Sequence, residues 1–356
     1  MIGTGNAGAA RLSESSRNAL LRAIQAGVPF ARRPFAALGE ALELSEAGVL
    51  TGLRDLREQR ILREISAVLE GSALGYDSAL VAGEIAGDQL DATVEVVNRH
   101  PTVTHNYLRN HRYNLWFTIA VPAHMSLEAT LEILAREAGV ARFQPLRRTH
   151  TFKIGVNFDP ETLKNRTTTT RTRVAAPIEV SAADARQFRA LQSPLPLEER
   201  PFDVLAQRAG VSVEALLAFA QRHLGGAIRR YVGTVRHRRL GVRENGMVVW
   251  RVPEERVEAV GQRLAEAPEV SHCYARNPME GFPYTLYSMV HGPDRAACEQ
   301  TARMLSERTG IADCAVLFSE REFKKVRLRY FLPELDAWWA TQALGERTLP
   351  APAAAT

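Results

Sequence analysis

Histidine, arginine and large aromatic residues are concentrated in residues 104–117, which read THNYLRNHRYNLWF. A related segment at residues 271–292 repeats this mixture in the second half of the chain. Histidine titrates near neutral pH and can act as a general acid or base, whereas arginine stays charged and binds carboxylates. The segment therefore predicts a site that binds an anionic molecule with apolar faces and transfers protons to it.

Composition narrows the class of protein. The chain has 356 residues, 46% of them hydrophobic, and this length favours several domains over a single core. Its three cysteines have no metal-ligand spacing, so we predict no metal site and a reducing, cytoplasmic location. No segment resembles a signal peptide and no apolar run reaches roughly 18 residues, so we expect no membrane span. The net charge of +5 favours an anionic partner, either nucleic acid or a polycarboxylate.

The chain contains an internal repeat. RPF at residues 33–35 recurs at 200–202, and the same offset of 167 residues relates PTVTHNY at 101–107 to PEVSHCY at 268–274. After a four-residue insertion the repeat continues at an offset of 171, where YNLW at 113–116 matches YTLY at 284–287. We call the two halves the first and second copies, and we expect them to pack together as the subunits of a dimer would.

Each copy is predicted to be a winged helix-turn-helix domain followed by a ferredoxin-like α+β domain. The first type of domain is placed at residues 15–76 and 187–244, where apolar residues have helical spacing and Ser45 can cap the second helix of the motif. Residues 61–85 alternate like two strands joined by a turn, which would form the wing. The order β-α-β-β-α-β follows at 77–157 and 245–333. The Thr- and Arg-rich linker at 158–186 lacks both structural periods, and TLPAPAAAT at 348–356, the end of a C-terminal tail placed at 334–356, has the same loose character.

This arrangement resembles the AsnC/Lrp family of regulators, whose α+β domains dimerise and bind small effectors. HNYLRNHRYNLWFT at 105–118, with SHCYARN at 271–277 and FPYTLYSMVHG at 282–292, resembles the siroheme decarboxylases of haem d1 and alternative haem biosynthesis, here joined in one chain. The resemblance implies conversion of siroheme to 12,18-didecarboxysiroheme by loss of two acetate carboxyl groups as CO2. It implies no added cofactor, since the substrate carries its own iron, and it allows a homodimer of the fused chain.

Within that resemblance we assign acid–base catalysis to His105 and His111, because histidine can protonate the ring carbon and the methylene carbon during decarboxylation. A larger set supplies cations and walls for a flat ring that carries carboxylates: Arg109, Arg112, Tyr113, Trp116, Arg147, Arg148, His150, Lys153, His272 and His291.

The two copies differ in predicted cationic character. The second copy replaces RRTH at 147–150 with FSER at 318–321, although it keeps other donors: Arg276, Arg321, Lys324 and Lys325. We therefore place the main pocket on the first copy, completed by His272 or His291 across the interface between the copies.

Structural roles are the alternative for many of these residues. His105 and His272 suit satisfied core positions, His111 suits a solvated loop, and His291 suits the end of an apolar strand. Packing is the alternative for the strand aromatics, and a solvated edge is the alternative for the 147–148 arginine pair.

The recognition helices argue against sequence-specific DNA binding. They begin SEAG at residue 45 and SVEA at residue 212, which are acidic or apolar where a base reader needs donors. Glu46 and Glu214 would face phosphates unfavourably. We predict helical domains used for packing. The principal alternative function, a transcriptional regulator that senses haem or another tetrapyrrole, would need donors on these helices.

Overall fold

The computed structural model describes residues 12–154, 177–235 and 244–348. Within the described residues, the first copy has its α-helices and strands in this order: α1 (Glu14–Ala26), α2 (Pro34–Leu42), α3 (Glu46–Glu58), β1 (Leu62–Leu69), β2 (Tyr76–Gly83), α4 (Leu90–Arg99), β3 (His105–Arg109), β4 (Leu115–Pro122), α5 (Leu127–Ala138) and β5 (Gln144–Ile154).

The second copy repeats this order and adds a helix: α6 (Ala182–Leu191), α7 (Pro201–Ala209), α8 (Val213–His223), β6 (Ile228–Val235), β7 (Glu244–Trp250), α9 (Val257–Glu266), β8 (Val270–Arg276), β9 (Leu286–Gly292), α10 (Arg295–Thr309), β10 (Cys314–Lys325) and α11 (Pro333–Thr348). The predicted α+β fold, with its tandem duplication, is confirmed.

Local sequence explains where the recognition helices α3 and α8 begin. Ser45 caps α3 by accepting a hydrogen bond from the backbone N–H of Gly48 at 3.1 Å, and Ser212 caps α8 in the same way from Ala215 at 3.2 Å. These bonds satisfy amide groups that would otherwise have no partner in the first turn. The predicted cap of the second helix in the motif is therefore present in both copies.

The first strand of the predicted wing pairs with the other copy. β1 does not form a hairpin with β2; it pairs antiparallel with β6, with Ile65 opposite Gly233. β2 instead lies between β4 and β5. Sequence alternation identifies strands but not their partners, which is why the hairpin prediction was wrong. The β1–β6 pair, here called the ribbon, joins the two helix-turn-helix domains.

The remaining eight strands form one closed barrel in the order β10-β3-β4-β2-β5-β8-β9-β7. Each copy supplies four strands in the ferredoxin-like order, and the copies meet where β5 pairs with β8 and where β10 pairs with β3. We call these two strand pairs the seams. Closure leaves no strand of the barrel with an unpaired edge. Helices α4, α5, α9 and α10 pack on the outside of the barrel.

The predicted linker and the predicted C-terminal tail both contain helix. Helix α6 begins at Ala182, inside the predicted linker, because Ser181 and Asp184 form a capping box. Helix α11 occupies much of the predicted tail, and Trp338 packs edge-on against His100 at 4.4 Å between ring centroids. Residues 1–11, 155–176, 236–243 and 349–356 lie outside the described residues; they include the end of the first predicted α+β domain, most of the predicted linker, part of the second predicted winged domain and the end of the predicted tail. Within the described part of the chain, no helix is long and apolar enough to cross a membrane.

Ion pairs link the helix-turn-helix domains of the two copies. Arg33 pairs with Glu46 at the start of α3 and with Glu199 of the second copy at 3.0 Å. Arg32 reaches Glu214 at the start of α8 at 3.3 Å. The acidic residues that begin both recognition helices therefore contact arginines of the protein itself, which agrees with a packing role for these domains.

Arg327, which follows the last barrel strand in sequence, forms hydrogen bonds and an ion pair with the ribbon. Its guanidinium donates to Glu64 Oε1 at 2.7 Å, to the Ser66 hydroxyl and to the Ala67 carbonyl at 2.5 Å. Glu64 is only 8% exposed, so removing its cation leaves a buried carboxylate without its ion-pair partner.

We predict that Arg327→Met lowers the free energy of unfolding by about 3 kcal/mol, because breaking a buried ion pair from one side is costly. Urea denaturation followed by circular dichroism measures the change. Arg142→Met is the matched control, since Arg142 and its partner Glu280 are 60% and 78% exposed and the pair contributes little. Equal stability of the two variants would contradict the assigned role of Arg327.

Candidate active site

An aromatic cluster fills one end of the barrel interior. Trp116, Tyr113, Phe282 and Tyr287 pack there with apolar side chains from strands β2, β5, β7, β9 and β10. Trp116 is 1% exposed, and its indole N–H donates to the Tyr113 carbonyl at 2.6 Å. Tyr113 and Trp116, predicted as walls of the substrate pocket, therefore belong to the core that closes this end of the barrel.

Strand β3 carries His105, Tyr107 and Arg109 on its interior face. Tyr107 lies opposite Trp116 in the β3–β4 register, and residues in directly opposed positions share a face. Asn106 between them points outward, where its amide donates to Asn98 on α4 at 3.0 Å. Side chains alternate along a strand, so the pattern His-x-Tyr-x-Arg forms one row inside the barrel.

Strand β8 carries the equivalent row: His272, Tyr274 and Arg276. Tyr274 lies opposite Tyr287 of the interior cluster. Cys273 points outward, with its Sγ 3.7 Å from the Gly261 carbonyl on α9. The barrel interior therefore contains two matching His-Tyr-Arg rows, one from each copy.

The arginines of the two rows are held in the same way. Arg109 donates from Nη1 to the Leu317 carbonyl on β10, and Arg276 donates from Nη1 to the Leu146 carbonyl on β5, both at 2.8 Å. Each guanidinium also lies over the tyrosine of its own row, at 5.5 Å from Tyr107 and 5.4 Å from Tyr274. Both arginines are thus positioned across a seam by a strand of the other copy.

Neither arginine has a carboxylate partner among the described residues, and the Nε atom of each is buried without a hydrogen-bond partner there. Burial lowers the pKa of Arg109 to about 10 and also lowers the pKa of Arg276. A buried cation with unused donors favours binding of an anion, and a guanidinium suits a carboxylate geometrically. These two arginines are the strongest feature of the candidate site.

Histidines gather at the opposite end of the barrel, which faces the ribbon. His105 contacts the Thr104 hydroxyl through Nδ1 at 3.1 Å, and His291 contacts the Ser271 hydroxyl through Nε2 at 2.6 Å. Burial, and next the nearby ammonium of Lys325, lower the pKa of both His105 and His291 to about 4. Lys325 lies opposite His105 in the β10–β3 register, and its charge also lowers the pKa of His291 from the other copy.

Strand β5 divides its predicted site residues between two faces. Arg148 lies in the interior, 5.9 Å from the Tyr274 ring, and contacts Glu70 of the ribbon region at 3.3 Å. The others make contacts away from the rows: Arg147 with Asp77 at 2.7 Å and Glu128 at 2.5 Å, His150 with Glu258 at 3.5 Å, and Lys153 with the Ala267 carbonyl at 2.9 Å.

Strand β5 belongs to the first copy but contributes a side chain to the interior row of the second copy. β5 pairs with β8, so Arg148 joins the row of the second copy, while β10 brings Lys325 opposite His105 of the first. The prediction of a pocket built mainly from the first copy did not allow for this exchange. Each row is completed by the last strand of the other copy.

His111 lies in the turn at the aromatic end. Its Nδ1 accepts a hydrogen bond from the Tyr113 N–H at 3.0 Å, its ring lies 5.2 Å from Phe282, and the adjacent Arg112 pairs with Glu84 at 2.9 Å. Strand β3 rises about 3.3 Å per residue, which separates the Cα atoms of His105 and Arg109 by about 13 Å. His105 and His111 therefore stand at opposite ends of the row and cannot contact one carboxyl group together.

Tyr107 and Tyr274 were not among the predicted site residues, and Arg276 was named only as a cationic donor that the second copy keeps. The repeat contained the signal that would have found them, because His-x-Tyr-x-Arg occurs at both 105–109 and 272–276 and period-two spacing puts its three residues on one face. Lys325 was named as a donor of the second copy, but its place opposite His105 was not predicted, since it depends on the pairing of β10 with β3.

Comparison with known proteins identifies the family of this chain. The model of the siroheme decarboxylase NirDL-like HTH domain matches residues 17–63 and 186–229, and that of the AsnC-like ligand binding domain matches 73–153 and 239–324. The siroheme decarboxylase of Hydrogenobacter thermophilus is 37% identical over 325 residues, which cover 90% of this chain and 96% of that protein. The chain belongs to the siroheme decarboxylase family. The resemblance predicted from its sequence is confirmed.

Other relatives place the duplication in context. The siroheme decarboxylase NirDL subunit of Paracoccus pantotrophus is 33% identical over 86% of this chain. The beta subunit of the Methanosarcina barkeri siroheme decarboxylase is 40% identical but matches only 41% of this chain while covering 97% of its own length. Separate subunits in some relatives thus correspond to one copy of the fused chain.

Solved structures support the same assignment. The crystal structure of the siroheme decarboxylase NirDL superposes with a TM-score of 0.77 at 33% identity, covering 93% of this chain and 99% of that one. A second NirDL structure, in complex with an iron-uroporphyrin III analogue, gives a TM-score of 0.75 at the same identity, covering 92% and 99% of the two chains.

The low pKa values of His105 and His291 predict an acid-sensitive fold. Between about pH 6.5 and pH 4 the unfolded chain binds protons at these imidazoles and the folded chain does not, so the unfolding free energy falls as pH falls. We expect His105→Asn and His291→Asn each to reduce this slope by about 1 kcal/mol per pH unit. Urea unfolding at several pH values from 5 to 6.5 measures it; slopes equal to that of the unsubstituted protein would refute the prediction.

Proposed function

We propose that this chain is a carboxy-lyase that removes the C12 and C18 acetate carboxyl groups of siroheme to give 12,18-didecarboxysiroheme, for haem d1 or alternative haem biosynthesis. The observation that carries the proposal is the pair of buried arginines, Arg109 and Arg276, without carboxylate partners among the described residues. The named activity of the relatives and the porphyrin analogue bound by NirDL support it. No added cofactor enters the proposal, since the iron belongs to the substrate.

The two arginines fit the substrate because they offer fixed donors in a region of low polarity. Siroheme is a flat ring with carboxylates around its edge, and a guanidinium held by a carbonyl and a tyrosine ring keeps further N–H groups for a carboxylate. Tyr107 and Tyr274 provide aromatic surface beside these donors. The interior rows therefore supply both anchoring charge and apolar contact.

Each decarboxylation consumes one proton overall. Protonation of the ring carbon provides an electron sink, CO2 departs with cleavage of its bond to the methylene carbon, and protonation of that carbon with loss of the ring proton gives a methyl group. We assign this proton transfer to the histidines at the ribbon-facing end, with His105 kept from the sequence-based hypothesis and His272 and His291 added. His111, at the aromatic end, is not part of this group.

The histidines must gain protons when substrate binds. With a pKa near 4, His105 and His291 are neutral at pH 7 without substrate. Carboxylates brought beside them favour the imidazolium form and offset the charge of Lys325, which raises their pKa toward the working pH. The negative charge of the substrate thus favours protonation of the histidines that act as acids in its decarboxylation.

Anaerobic incubation of the purified protein with siroheme, followed by mass spectrometry of the tetrapyrrole, tests the proposed activity. We expect a product that has lost two CO2 units. Binding of siroheme with no change in mass would overturn the assignment as an enzyme and support a sensor or scaffold.

Substitution of the anchoring arginines tests the site. We expect Arg109→Met and Arg276→Met each to raise the Kd for siroheme about 30-fold, the effect of losing roughly 2 kcal/mol in charge-assisted hydrogen bonds. Arg142→Met, which removes an exposed cation outside the rows, serves as the control and should bind normally. Absorbance titration of the bound tetrapyrrole measures Kd, and normal binding by both row variants would refute the proposed anchors.

A further inference from the structure

A serine hydroxyl joins two imidazoles in the second copy. Ser271 Oγ lies 2.9 Å from Nδ1 of His272 and 2.6 Å from Nε2 of His291, with a longer contact of 3.5 Å to the Met289 carbonyl. Ser271 is 1% exposed, so bulk water does not reach this hydroxyl readily. A hydroxyl can accept one hydrogen bond and donate another. The three side chains therefore form a continuous path between two groups that can each carry a proton.

The first copy does not contain this path. Its equivalent hydroxyl, on Thr104, contacts His105 at 3.1 Å, but its other contact is the Thr118 hydroxyl at 2.9 Å. The position equivalent to His291 is Ala120, at the offset of 171 residues. The second imidazole is therefore specific to the second copy.

We propose that Ser271 relays a proton from His291 to His272 during decarboxylation, an inference that rests on the proposed function. The direction follows from the positions of the histidines. His272 shares the interior face with Tyr274 and Arg276, the row that would hold substrate. His291 lies one residue before the end of β9, on the ribbon-facing side of the barrel, and takes up the proton there.

The relay balances in atoms and electrons. His291, as an imidazolium in the substrate complex, passes its Nε2 proton to Ser271 Oγ; the hydroxyl proton passes to Nδ1 of His272, and the Nε2 proton of His272 passes to the methylene carbon of the substrate. The electron pair of the broken C–CO2 bond forms the new C–H bond. RCH2CO2⁻ and one proton thus give RCH3 and CO2, with no oxidant or reductant.

Ser271 acts through the histidines, so it is a positioning residue and its test must separate relay from structure. We expect Ser271→Ala to lower the single-turnover rate of siroheme decarboxylation at least about tenfold while the Kd for siroheme stays within about twofold. Ser271→Thr keeps the hydroxyl and reproduces the residue of the first copy, so it should restore the rate to within about threefold of the unsubstituted protein. Equal rates for the alanine and threonine variants would overturn the relay.

A double-substitution cycle provides the second measurement. His291→Ala removes the proposed donor and reproduces Ala120 of the first copy, and it should slow the reaction about as much as Ser271→Ala. The double variant should be no slower than either single variant, because both lie on one path. Multiplicative losses would contradict the relay. If the unsubstituted protein forms no decarboxylated product, the proposed function fails; if it does and these variants keep full rate, only the relay fails.

Discussion

Pairing of strands between the copies is the constraint on which the other features of this protein depend. An open ferredoxin-like sheet has two edges, and in each copy those edges are the second and the fourth strand. The seams β5–β8 and β10–β3 satisfy all four edges at once and close the barrel. They also create the interior, because residues that would line one face of an open sheet now surround an enclosed space. Arg109 and Arg276 each bond to a carbonyl contributed across a seam.

Electrostatics then gives that interior its chemical character. A buried guanidinium is costly unless its donors are satisfied, and here a carbonyl and a tyrosine ring satisfy only part of each one. Carboxylates of a bound ligand would complete both arginines. Burial, and next the ammonium of Lys325, keep the ribbon-facing His105 and His291 neutral in the free protein, and a bound anion would favour their protonated forms.

Fusion into one chain lets equivalent positions diverge. In a homodimer every substitution occurs twice, whereas here Arg148 on β5 corresponds to Ser319 on β10 and His291 corresponds to Ala120. The two copies consequently share the His-Tyr-Arg row in the interior, whereas the side chains next to each row differ. In the relatives with separate alpha and beta subunits, equivalent positions can also differ, because the two copies are different chains.

The sequence by itself determined the duplication, the element order, the helix caps and the family, because repeats, periodicity and capping residues are local signals. It also identified Arg109, Arg148, His105, His272 and His291 as candidates from residue type. Only the tertiary structure decided which side chains meet, since that depends on strand partners and on bulges in the seams. The side chains of Arg147, His150 and Lys153 point away from the interior rows, His111 lies far from His105, and Lys325 lies opposite His105. The local sequence does not predict these positions, because they depend on pairing between strands of the two copies.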